Sequence, residues 1–176
     1  MYFKQFPIII YDSEGKNRNF TFCVNIMKRI ALRAEAKTNI LLFDRYEVNE
    51  GETPEMIAYK VYGDSTLHWT ILLANEITDR FHEWPMGLNE LNQFVADKYS
   101  NINGVHHYEI LYTSGDTTKT INIGTDKTNH AAATTVTNYE YELDRQDDLR
   151  KIRLIDSKHM PQFLDEFSTL IQESII

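Results

Sequence analysis

The sequence has only one cysteine, Cys23, so the chain has no second thiol with which to form an internal disulfide. A lone cysteine is typical of proteins made in a reducing compartment. No apolar run approaches the ~20 residues of a membrane-spanning helix. The apolar run at residues 6–11 is also too short for a secretion signal and has no small-residue cleavage site. We therefore expect a product that is cytosolic when it is made and has no membrane partner.

Positive charge is scarce as well. The chain has 26 acidic residues against 18 lysines and arginines, which gives a formal net charge of −8. This excess disfavours broad binding to nucleic acids or anionic membranes, because both carry negative charge. Apolar residues make up an ordinary 42% of the chain, which argues against wholesale disorder. A chain of this length can form one domain that buries roughly 70% of its unfolded surface.

The common motifs of metal centres and nucleophilic enzymes are missing. The six histidines and one cysteine form no CxxC, HExxH or HxH spacing. The adjacent pair His106–His107 is not expected to share a metal ion, because neighbouring side chains on a strand point to opposite faces. GxSxG and the phosphate-binding GxxxxGK(S/T) motif are also absent. The sequence therefore predicts no metal, no cofactor and no nucleophilic active site.

One acidic cluster has the residue types of a glycan-cleaving site. Glu76, Asp79 and Glu83 follow one another closely, beside His82 and Trp84. Hydrolysis of a glycosidic bond needs two carboxylates that flank a cleft. Acidic residues at a helix exit are more often simply solvated, so we predict that the protein is not an enzyme.

The stretch at residues 46–85 carries the strongest local signals. Thr53 is a good N-cap and Pro54 suits the first helical position, so together they predict the start of a helix. Gly63 predicts its end, because glycine adopts the left-handed conformation at a helix C-terminus at least cost. Asp64 or Ser65 then caps a second helix, which has an apolar stripe at helical spacing. The predicted core of this helix pair consists of Ile57, Val61, Trp69, Leu72 and Leu73.

This order of elements resembles a LysM module. The resemblance is carried by the strand Tyr46–Val48 (YEV), the turn Gly51–Thr53 (GET), the pair Ile57–Ala58 and the run Leu72–Ile77 (LLANEI). The second helix is unusually apolar (HWTILL), and FHEWP at residues 81–85 stands where a short closing strand is expected. Both departures, with YKVYGDS before them, resemble the LysM-like wedge subunit in the baseplates of contractile-tail (T-even-like) bacteriophages.

The resemblance is strongest over residues 41–99, and weaker likeness covers most of the remaining chain. It implies a structural role without catalytic residues, in which the protein binds other wedge proteins and helps join neighbouring wedges into the baseplate ring. It also implies assembly in the host cytoplasm and a final location in the virion tail. The alternative function is that of ordinary LysM modules, which bind peptidoglycan and other N-acetylglucosamine polymers. By that resemblance a glycan groove would lie between residues 49–53 and 75–79.

The N-terminal part has weaker periodicity. Residues 6–11 predict a strand or an anchoring arm, and the polar residues 12–19 predict a loop. Helical spacing of apolar residues, together with several alanines, favours a helix over residues 22–36. Residues 40–48 predict a strand that leads into the LysM-like module.

The C-terminal part changes from helical to strand periodicity. A helix is predicted over residues 87–99. Aromatic side chains alternate from Val105 to Tyr112 and predict a strand. A turn at 114–116 and a second strand over 118–123 would complete a hairpin, and the threonine-rich residues 124–137 predict an exposed loop.

Two further strands and a helix are predicted after that loop. Tyr139, Tyr141 and Leu143 alternate with glutamates and predict a third strand, and the neighbourhood of Ile152 and Leu154 predicts a fourth. Asp156 or Ser157 then caps the last helix, and Pro161 fits only its first turn. The apolar face of this helix consists of Phe163, Leu164, Phe167, Leu170 and Ile171.

The predicted fold class is therefore α+β, with a LysM-like β-α-α core, an added helix, a small antiparallel sheet and a C-terminal helix. The predicted parts are an N-terminal arm and helix (1–43), the module with its following helix (44–99), and the sheet extension with the last helix (100–176). We expect Trp69 in the core, while Trp84 and Tyr62 stand at exit and turn positions that can lie at a surface, where a half-exposed Trp84 would suit docking. The arm, the threonine-rich loop and the last helix are the predicted contact segments. The candidate partner-binding residues are Phe6, Ile8, Ile9, Ile10, Tyr62, Trp84, Phe163 and Phe167.

Overall fold

A computed structural model describes residues 2–15, 19–28, 30–32, 40–111 and 119–173 of the protein, and it confirms the α+β fold class. The strands are β1 (Ile8–Asp12), β2 (Phe20–Val24), β3 (Phe43–Glu47), β4 (Val105–Leu111), β5 (Thr120–Gly124), β6 (Thr134–Thr137) and β7 (Lys151–Ile155). The α-helices are α1 (Pro54–Tyr62), α2 (His68–Ala74), α3 (Arg80–Glu83), α4 (Leu88–Lys98), α5 (Asn138–Leu149) and α6 (Met160–Glu173). Short 3₁₀ turns cover Tyr2–Gln5, Ile40–Leu42 and Ser65–Leu67.

The chain forms two compact units. The first unit comprises residues 1–47, 52–83 and 152–176, and the second comprises residues 48–51 and 84–151. Strands β1 and β2 pair with each other, β3 pairs with β7, and the third sheet has the order β5-β4-β6. The division into three parts that the sequence suggests remains a prediction.

Helix α1 forms where its capping residues predict it. The Thr53 side chain accepts a hydrogen bond from the Met56 amide, and Pro54 occupies the first turn. Gly63 adopts a left-handed conformation with φ of 75°, and its amide donates to the Tyr59 carbonyl. This backbone conformation is strained for residues with a Cβ atom, which is why a glycine ends the helix here.

The second helix also begins close to its predicted cap. The Asp64 carboxylate accepts a hydrogen bond from the Thr66 amide at 2.8 Å and starts the 3₁₀ turn that leads into α2. Of the five predicted core residues, Ile57 and Trp69 are buried. The other three, Val61, Leu72 and Leu73, are half-buried. The helix pair is thus as predicted, while its identity as a LysM fold remains a prediction.

A strand distant in sequence closes the sheet beside the helix pair. The Val48 amide donates to the Arg150 carbonyl at 2.9 Å, and the Asp156 amide donates to the Leu42 carbonyl at 3.0 Å, so β3 and β7 run antiparallel. The predicted fourth strand therefore forms, but it pairs with β3 and not with the other predicted strands of the C-terminal sheet. Such a pairing depends on contacts about a hundred residues apart, which local periodicity cannot indicate.

Asn75 fixes β7 to the end of α2. Its amide group donates to the carbonyls of Ile71 and Arg153, each at 2.8 Å, and its carbonyl oxygen accepts from the Arg153 amide at 2.8 Å. Replacing Asn75 with alanine should lower the free energy of unfolding by about 1–3 kcal/mol, because it removes both hydrogen bonds that its side chain makes to the partly buried backbone of Arg153. Urea denaturation followed by circular dichroism measures this, with Asn92→Ala on the exposed side of α4 as the control. Equal stability of the two variants would contradict a clamping role for Asn75.

Aromatic side chains form the main core of the first unit. The Trp69 ring lies 4.4 Å from Phe167 and 5.0 Å from Tyr2, measured between ring centroids. Phe6 joins the same cluster from the N-terminal side, and Ile171 joins it from α6. Helix α6 is formed as predicted, with Pro161 in its first turn. The C-terminal helix and the N-terminal turn therefore complete the core around Trp69.

Helix α5 replaces the third strand that the alternation around Tyr141 predicts. The Thr137 hydroxyl accepts from the Glu140 amide, and the Glu140 carboxylate accepts from the Thr137 amide, which is a capping box at a helix start. Glu142 is completely buried on this helix and accepts hydrogen bonds from Lys98 at 2.6 Å and Tyr99 at 2.8 Å. The buried face of α5 includes polar residues. The sequence therefore has no stripe of apolar residues at helical spacing that would predict this helix.

Two other segments differ from their predictions. The threonine-rich segment predicted as a loop contains β6, which pairs with β4 and gives the central strand a second neighbour. The helix predicted over 22–36 is wrong throughout its described part, because Phe22–Val24 belong to β2, where pairing with β1 outweighs local helix propensity, and residues 25–28 and 30–32 are not helical. Residues 33–36 of that helix, and the turn predicted at 114–116, lie outside the described residues.

Candidate partner-binding surface

The hairpin of β1 and β2 presents one predominantly apolar face. Its register pairs Ile8 with Val24, Ile10 with Phe22 and Asp12 with Phe20. Directly opposed residues of an antiparallel pair project to the same side of the sheet, and alternate residues along a strand share a face. We define the hairpin face as the apolar residues on this side, namely Ile8, Ile10, Phe20, Phe22 and Val24.

All five side chains of the hairpin face are exposed. Their exposed fractions are 69% for Ile8, 65% for Ile10, 59% for Phe20, 80% for Phe22 and 43% for Val24. Single exposed apolar residues are ordinary on protein surfaces, but a contiguous exposed group of this kind marks an interaction site. Asp12, which pairs with Phe20 at the end of the strands, lies on the same side and is the one charged residue that β1 and β2 place there, so the hairpin face is an apolar surface with one acidic neighbour.

The opposite face of the hairpin is more polar. It carries Ile9, Tyr11, Thr21 and Cys23, and the Thr21 hydroxyl donates to the Tyr11 carbonyl at 3.2 Å. The two faces therefore differ in chemistry although they have the same backbone. This contrast provides matched positions for experiments on the hairpin face.

The hairpin is attached to the first unit at the base of both strands. The Asn25 amide donates to the Pro7 carbonyl at 2.9 Å, and Asn25 is itself buried. Phe6, directly before Pro7, is buried against the ring of Tyr2 at a centroid distance of 4.8 Å. A two-stranded hairpin is at best marginally stable alone in water. The fixed base therefore holds this apolar surface in place on the first unit.

The candidate partner-binding residues lie in several different environments. Ile8 and Ile10 lie on the hairpin face, while Ile9 lies on its opposite side. Phe6 and Phe167 are buried in the Trp69 cluster, which therefore uses them as core residues. Whether any of these residues contacts a partner remains a prediction.

The other three candidates are covered to different degrees. Trp84, in the second unit, is buried and so does not have the half-exposed position that would suit a docking surface. Tyr62 is half-buried and its hydroxyl donates to the Ile155 carbonyl at 2.9 Å. Burial raises the pKa of Tyr62 to about 12, so the hydroxyl remains a donor at neutral pH. Phe163 is half-buried on α6.

Phe20 and Phe22 are the residues that the sequence analysis missed. Phe22 fell at the start of a predicted helix, and Phe20 fell between that helix and a predicted loop. Alternation of Phe20, Phe22 and Val24 is the signal that would have indicated a strand with one apolar face.

A second apolar surface lies along α6. An open groove of about 670 Å³ is bordered by residues 30–32, Leu42 and Leu73 on one side and by α6 on the other. Phe163, Phe167 and Leu170 contribute its apolar lining, and Asp165 and Glu166 lie at its edge. The last helix thus contributes both to the core and to an exposed groove.

The acidic cluster has a local structural explanation. One Glu83 carboxylate oxygen accepts from the Thr78 amide at 2.7 Å and the Asp79 amide at 2.9 Å. These backbone hydrogen bonds lower the pKa of Glu83, and the hydrogen bond from His82 lowers the pKa of Asp79. A general acid for glycan cleavage needs the opposite shift. The cluster therefore stabilises a turn and gives no support to a catalytic carboxylate pair.

The histidine pair does not have the expected geometry. The Nδ1 atoms of His106 and His107 lie 2.8 Å apart, although neighbouring strand residues normally point to opposite faces. A shift in the pairing of β4 with β6 between Val105 and His107 explains the difference, because a bulge reorients side chains. His107 Nε2 lies 2.9 Å from the Glu109 carboxylate. The pKa of His106 is lowered, first by burial and second by the electrostatic interaction with His107. Among the described residues, no three His, Cys, Asp or Glu side chains form a metal-binding group.

Comparison with known proteins identifies the class as phage baseplate wedge proteins. Residues 1–129 match the family model described as "Base plate wedge protein 53". This match covers more than half of the chain, so the chain belongs to that family. The chain is also similar to "Baseplate wedge protein gp53" of Enterobacteria phage T4, with 24% identity over an alignment of 144 positions that covers 73% of this chain and 74% of the relative.

Family membership gives the location and the broad role of the protein. It is a structural component of the baseplate in the tail of a phage virion. The hairpin face lies entirely within the matched residues. In the described part of the chain, no helix has the length and apolar character needed to cross a bilayer.

Proposed function

We propose that this subunit binds other wedge proteins through the hairpin face and thereby helps join wedges into the baseplate ring. The observation that supports the proposal is the exposure of all five apolar side chains on one face of a hairpin with a fixed base. The role is non-catalytic, because binding by burial of apolar surface requires no reacting group.

The size of the hairpin face supports a protein partner. Its five side chains expose on the order of 600 Å² of apolar surface, compared with the ~800 Å² that each partner contributes to a standard interface. The largest apolar patch on a typical monomer is about 300–600 Å² and is often functional. The hairpin face is therefore large enough to be the centre of an interface.

A subunit that joins two wedges needs a second contact surface. The apolar groove along α6 is the candidate for this second surface, since it combines Phe163 and Leu170 with an acidic edge. A helix or loop of a neighbouring wedge protein with apolar and basic side chains suits this combination of surface properties. The proposed subunit thus contacts one wedge protein with its hairpin and another with its groove.

Substitution of the hairpin face tests the proposal. Ile10→Thr/Phe22→Thr keeps strand propensity and removes two apolar anchors, each of which contributes about 1.5–3 kcal/mol when fully buried. We expect incorporation into baseplates to fall by about tenfold or more, because each 1.4 kcal/mol of binding energy corresponds to a factor of ten. The measurement is the amount of the variant in purified baseplates when it complements a phage that lacks this protein.

Tyr11→Thr is the matched control, because Tyr11 is an exposed aromatic residue on the opposite face of the same strand. The control should be incorporated normally. Normal incorporation of the double variant would remove the hairpin face from the interface. Deletion of the whole arm is a poorer test, because it also removes the buried Phe6 from the core.

Binding of N-acetylglucosamine polymers is the alternative function. Asn75 lies in the loop that would border the glycan groove, but its amide and carbonyl groups already bind Ile71 and Arg153. This observation favours a structural use of the loop. Retention of the purified protein on insoluble peptidoglycan or chitin, blocked by soluble N-acetylglucosamine oligomers, would favour the glycan instead.

A further inference from the structure

The backbone hydrogen bonds of the hairpin have a fixed alternation. The Asn25 amide donates to the Pro7 carbonyl, so this pair occupies a hydrogen-bonded position at the base of the hairpin. Hydrogen-bonded and non-hydrogen-bonded pairs alternate along antiparallel strands. In the pairs Ile9–Cys23 and Tyr11–Thr21, the backbone amides and carbonyls therefore point inward, toward the other strand of the hairpin.

The remaining residues of β2 direct their backbone groups away from β1. These residues are Phe20, Phe22 and Val24, the same ones that place their side chains on the hairpin face. The Val24 carbonyl accepts from the Ile26 amide at 2.9 Å. Among the described residues, no partner bonds the outward amides of Phe20, Phe22 and Val24, since the sheet ends at β2.

The outer edge of β2 also lacks the usual protection against strand pairing. Natural edge strands are protected by charged side chains, prolines or bulges. The sequence of β2 is FTFCV, which has neither charge nor proline, and its register with β1 is regular. Strand β1, in contrast, follows Pro7 and ends at Asp12. The edge of β2 is therefore the one that is open to another strand.

We propose that an extended segment of another tail protein adds to the outer edge of β2 as a third strand. This inference rests on the proposed function and specifies how the partner binds. Its amides and carbonyls would pair with those of Phe20 and Phe22, and its alternate apolar side chains would extend the hairpin face. The partner segment is uncharged, because β2 offers no charge to pair with.

Charge also distinguishes this partner from a second copy of the chain. Each copy has a formal net charge of −8, so two copies repel each other. Strand β2 has no charged side chain that could offset that repulsion, and Asp12, at the end of β1 on the same face, adds to it. The chemistry of β2 thus favours a different protein with an uncharged strand.

Hydrogen exchange measures the proposed pairing directly. The protein is exchanged alone and within purified baseplates, and residue-resolved mass spectrometry compares individual amides. We expect the amides of Phe20 and Phe22 to exchange freely in the isolated protein and to become protected in the baseplate. The amides of Thr21 and Cys23 point inward and serve as the internal reference. Unprotected Phe20 and Phe22 amides in the baseplate would overturn the proposal.

Proline substitution separates backbone pairing from side-chain burial. Phe22→Pro and Phe22→Thr both remove the aromatic ring, but only proline removes the outward amide. The proline variant should be incorporated several-fold less than the threonine variant, up to about tenfold, as expected for the loss of one hydrogen bond of about 0.5–1.5 kcal/mol. Phe20→Pro against Phe20→Thr repeats the comparison at the first strand residue, where proline is best tolerated.

Each remaining outcome decides against a part of the inference. Equal incorporation of the proline and threonine variants at both positions would overturn strand addition. The proposed function would still hold in that case if the Ile10→Thr/Phe22→Thr variant fails to assemble. Protection of the Phe20 and Phe22 amides in the isolated protein at raised concentration would show pairing with a second copy instead. Protection on neutral phosphatidylcholine vesicles would show a lipid surface as the occupant and would likewise overturn the assignment.

Discussion

Trp69→Ala is expected to lower the free energy of unfolding of the first unit by about 3–5 kcal/mol, the usual cost of truncating a buried aromatic residue. Trp69 is buried and its ring contacts Tyr2, Phe163 and Phe167, with centroid distances between 4.4 and 6.1 Å. Alanine would leave a cavity where the N-terminal turn, α2 and α6 meet. Since a domain is stable by only 5–15 kcal/mol, we also expect poor assembly as an indirect result.

Chemical denaturation followed by far-ultraviolet circular dichroism measures this effect. Tyr59→Ala is the control, because Tyr59 is an aromatic residue on α1 with an exposed side chain. Its substitution should change stability by no more than about 0.5 kcal/mol. A Trp69→Ala variant as stable as Tyr59→Ala, and still able to assemble, would contradict a core role for Trp69.

Lys98→Met is expected to destabilise the second unit by about 1–3 kcal/mol at neutral pH, because it removes a charged donor from a buried carboxylate. Lys98 Nζ lies 2.6 Å from Glu142, whose side chain is completely buried. The partial exposure of Lys98 keeps the expected cost below that of a fully buried ion pair. Adding Glu142→Gln to the Lys98→Met variant should recover part of the lost stability, because the buried side chain is then an uncharged amide.

The effect of Lys98→Met should depend on pH in a defined direction. Burial raises the pKa of Glu142, but hydrogen bonds from Lys98 and Tyr99 outweigh burial, so the pKa is lowered overall. A lowered folded-state pKa contributes stability above the unfolded value of about 4.3, and this stability is lost as the pH falls through the folded-state pKa. The difference between wild type and Lys98→Met should therefore shrink at acidic pH.

Lys60→Met is the matched control for this prediction. Lys60 is an exposed lysine that pairs with Glu52 at 3.3 Å at the protein surface. Exposed pairs contribute about 0–1 kcal/mol, so this variant should show little change at any pH. Stability curves against pH that coincide for Lys98→Met and Lys60→Met would contradict the role assigned to the buried carboxylate.

The elements that the sequence predicted well are those specified by short-range signals. Helix α1 begins at Thr53 and ends at Gly63 because capping groups and backbone preferences act within a few residues. Helix α6 has an apolar face at helical spacing and a proline in its first turn. In both cases the information needed to form the element lies inside the element.

The elements that the sequence did not predict depend on contacts outside the element itself. Strand β2 forms because Phe22 pairs with Ile10 on β1, although the residues around it have helical spacing. Helix α5 buries Glu142 and Gln146, which are polar, so its inward face is invisible to a search for apolar periodicity. Only the capping box at Thr137 and Glu140 indicated the helix locally.

The candidate surface was predicted only in part, because the exposure of its residues also depends on contacts outside the segment. Ile8 and Ile10 stood out as an apolar arm, but their exposure depends on which residues the rest of the fold covers. Phe6 belongs to the same arm and is buried, because it meets Trp69 and Phe167 across the first unit. A pattern of apolar residues thus identified the arm but did not separate its core residues from its exposed ones.

A structure of the assembled baseplate at side-chain resolution is the most direct test of the hairpin face as a partner-binding surface. The account predicts that another protein chain covers Ile10 and Phe22, so that their side chains no longer contact solvent. Ile10 and Phe22 exposed to solvent in the complete baseplate, with no chain against either, would contradict it.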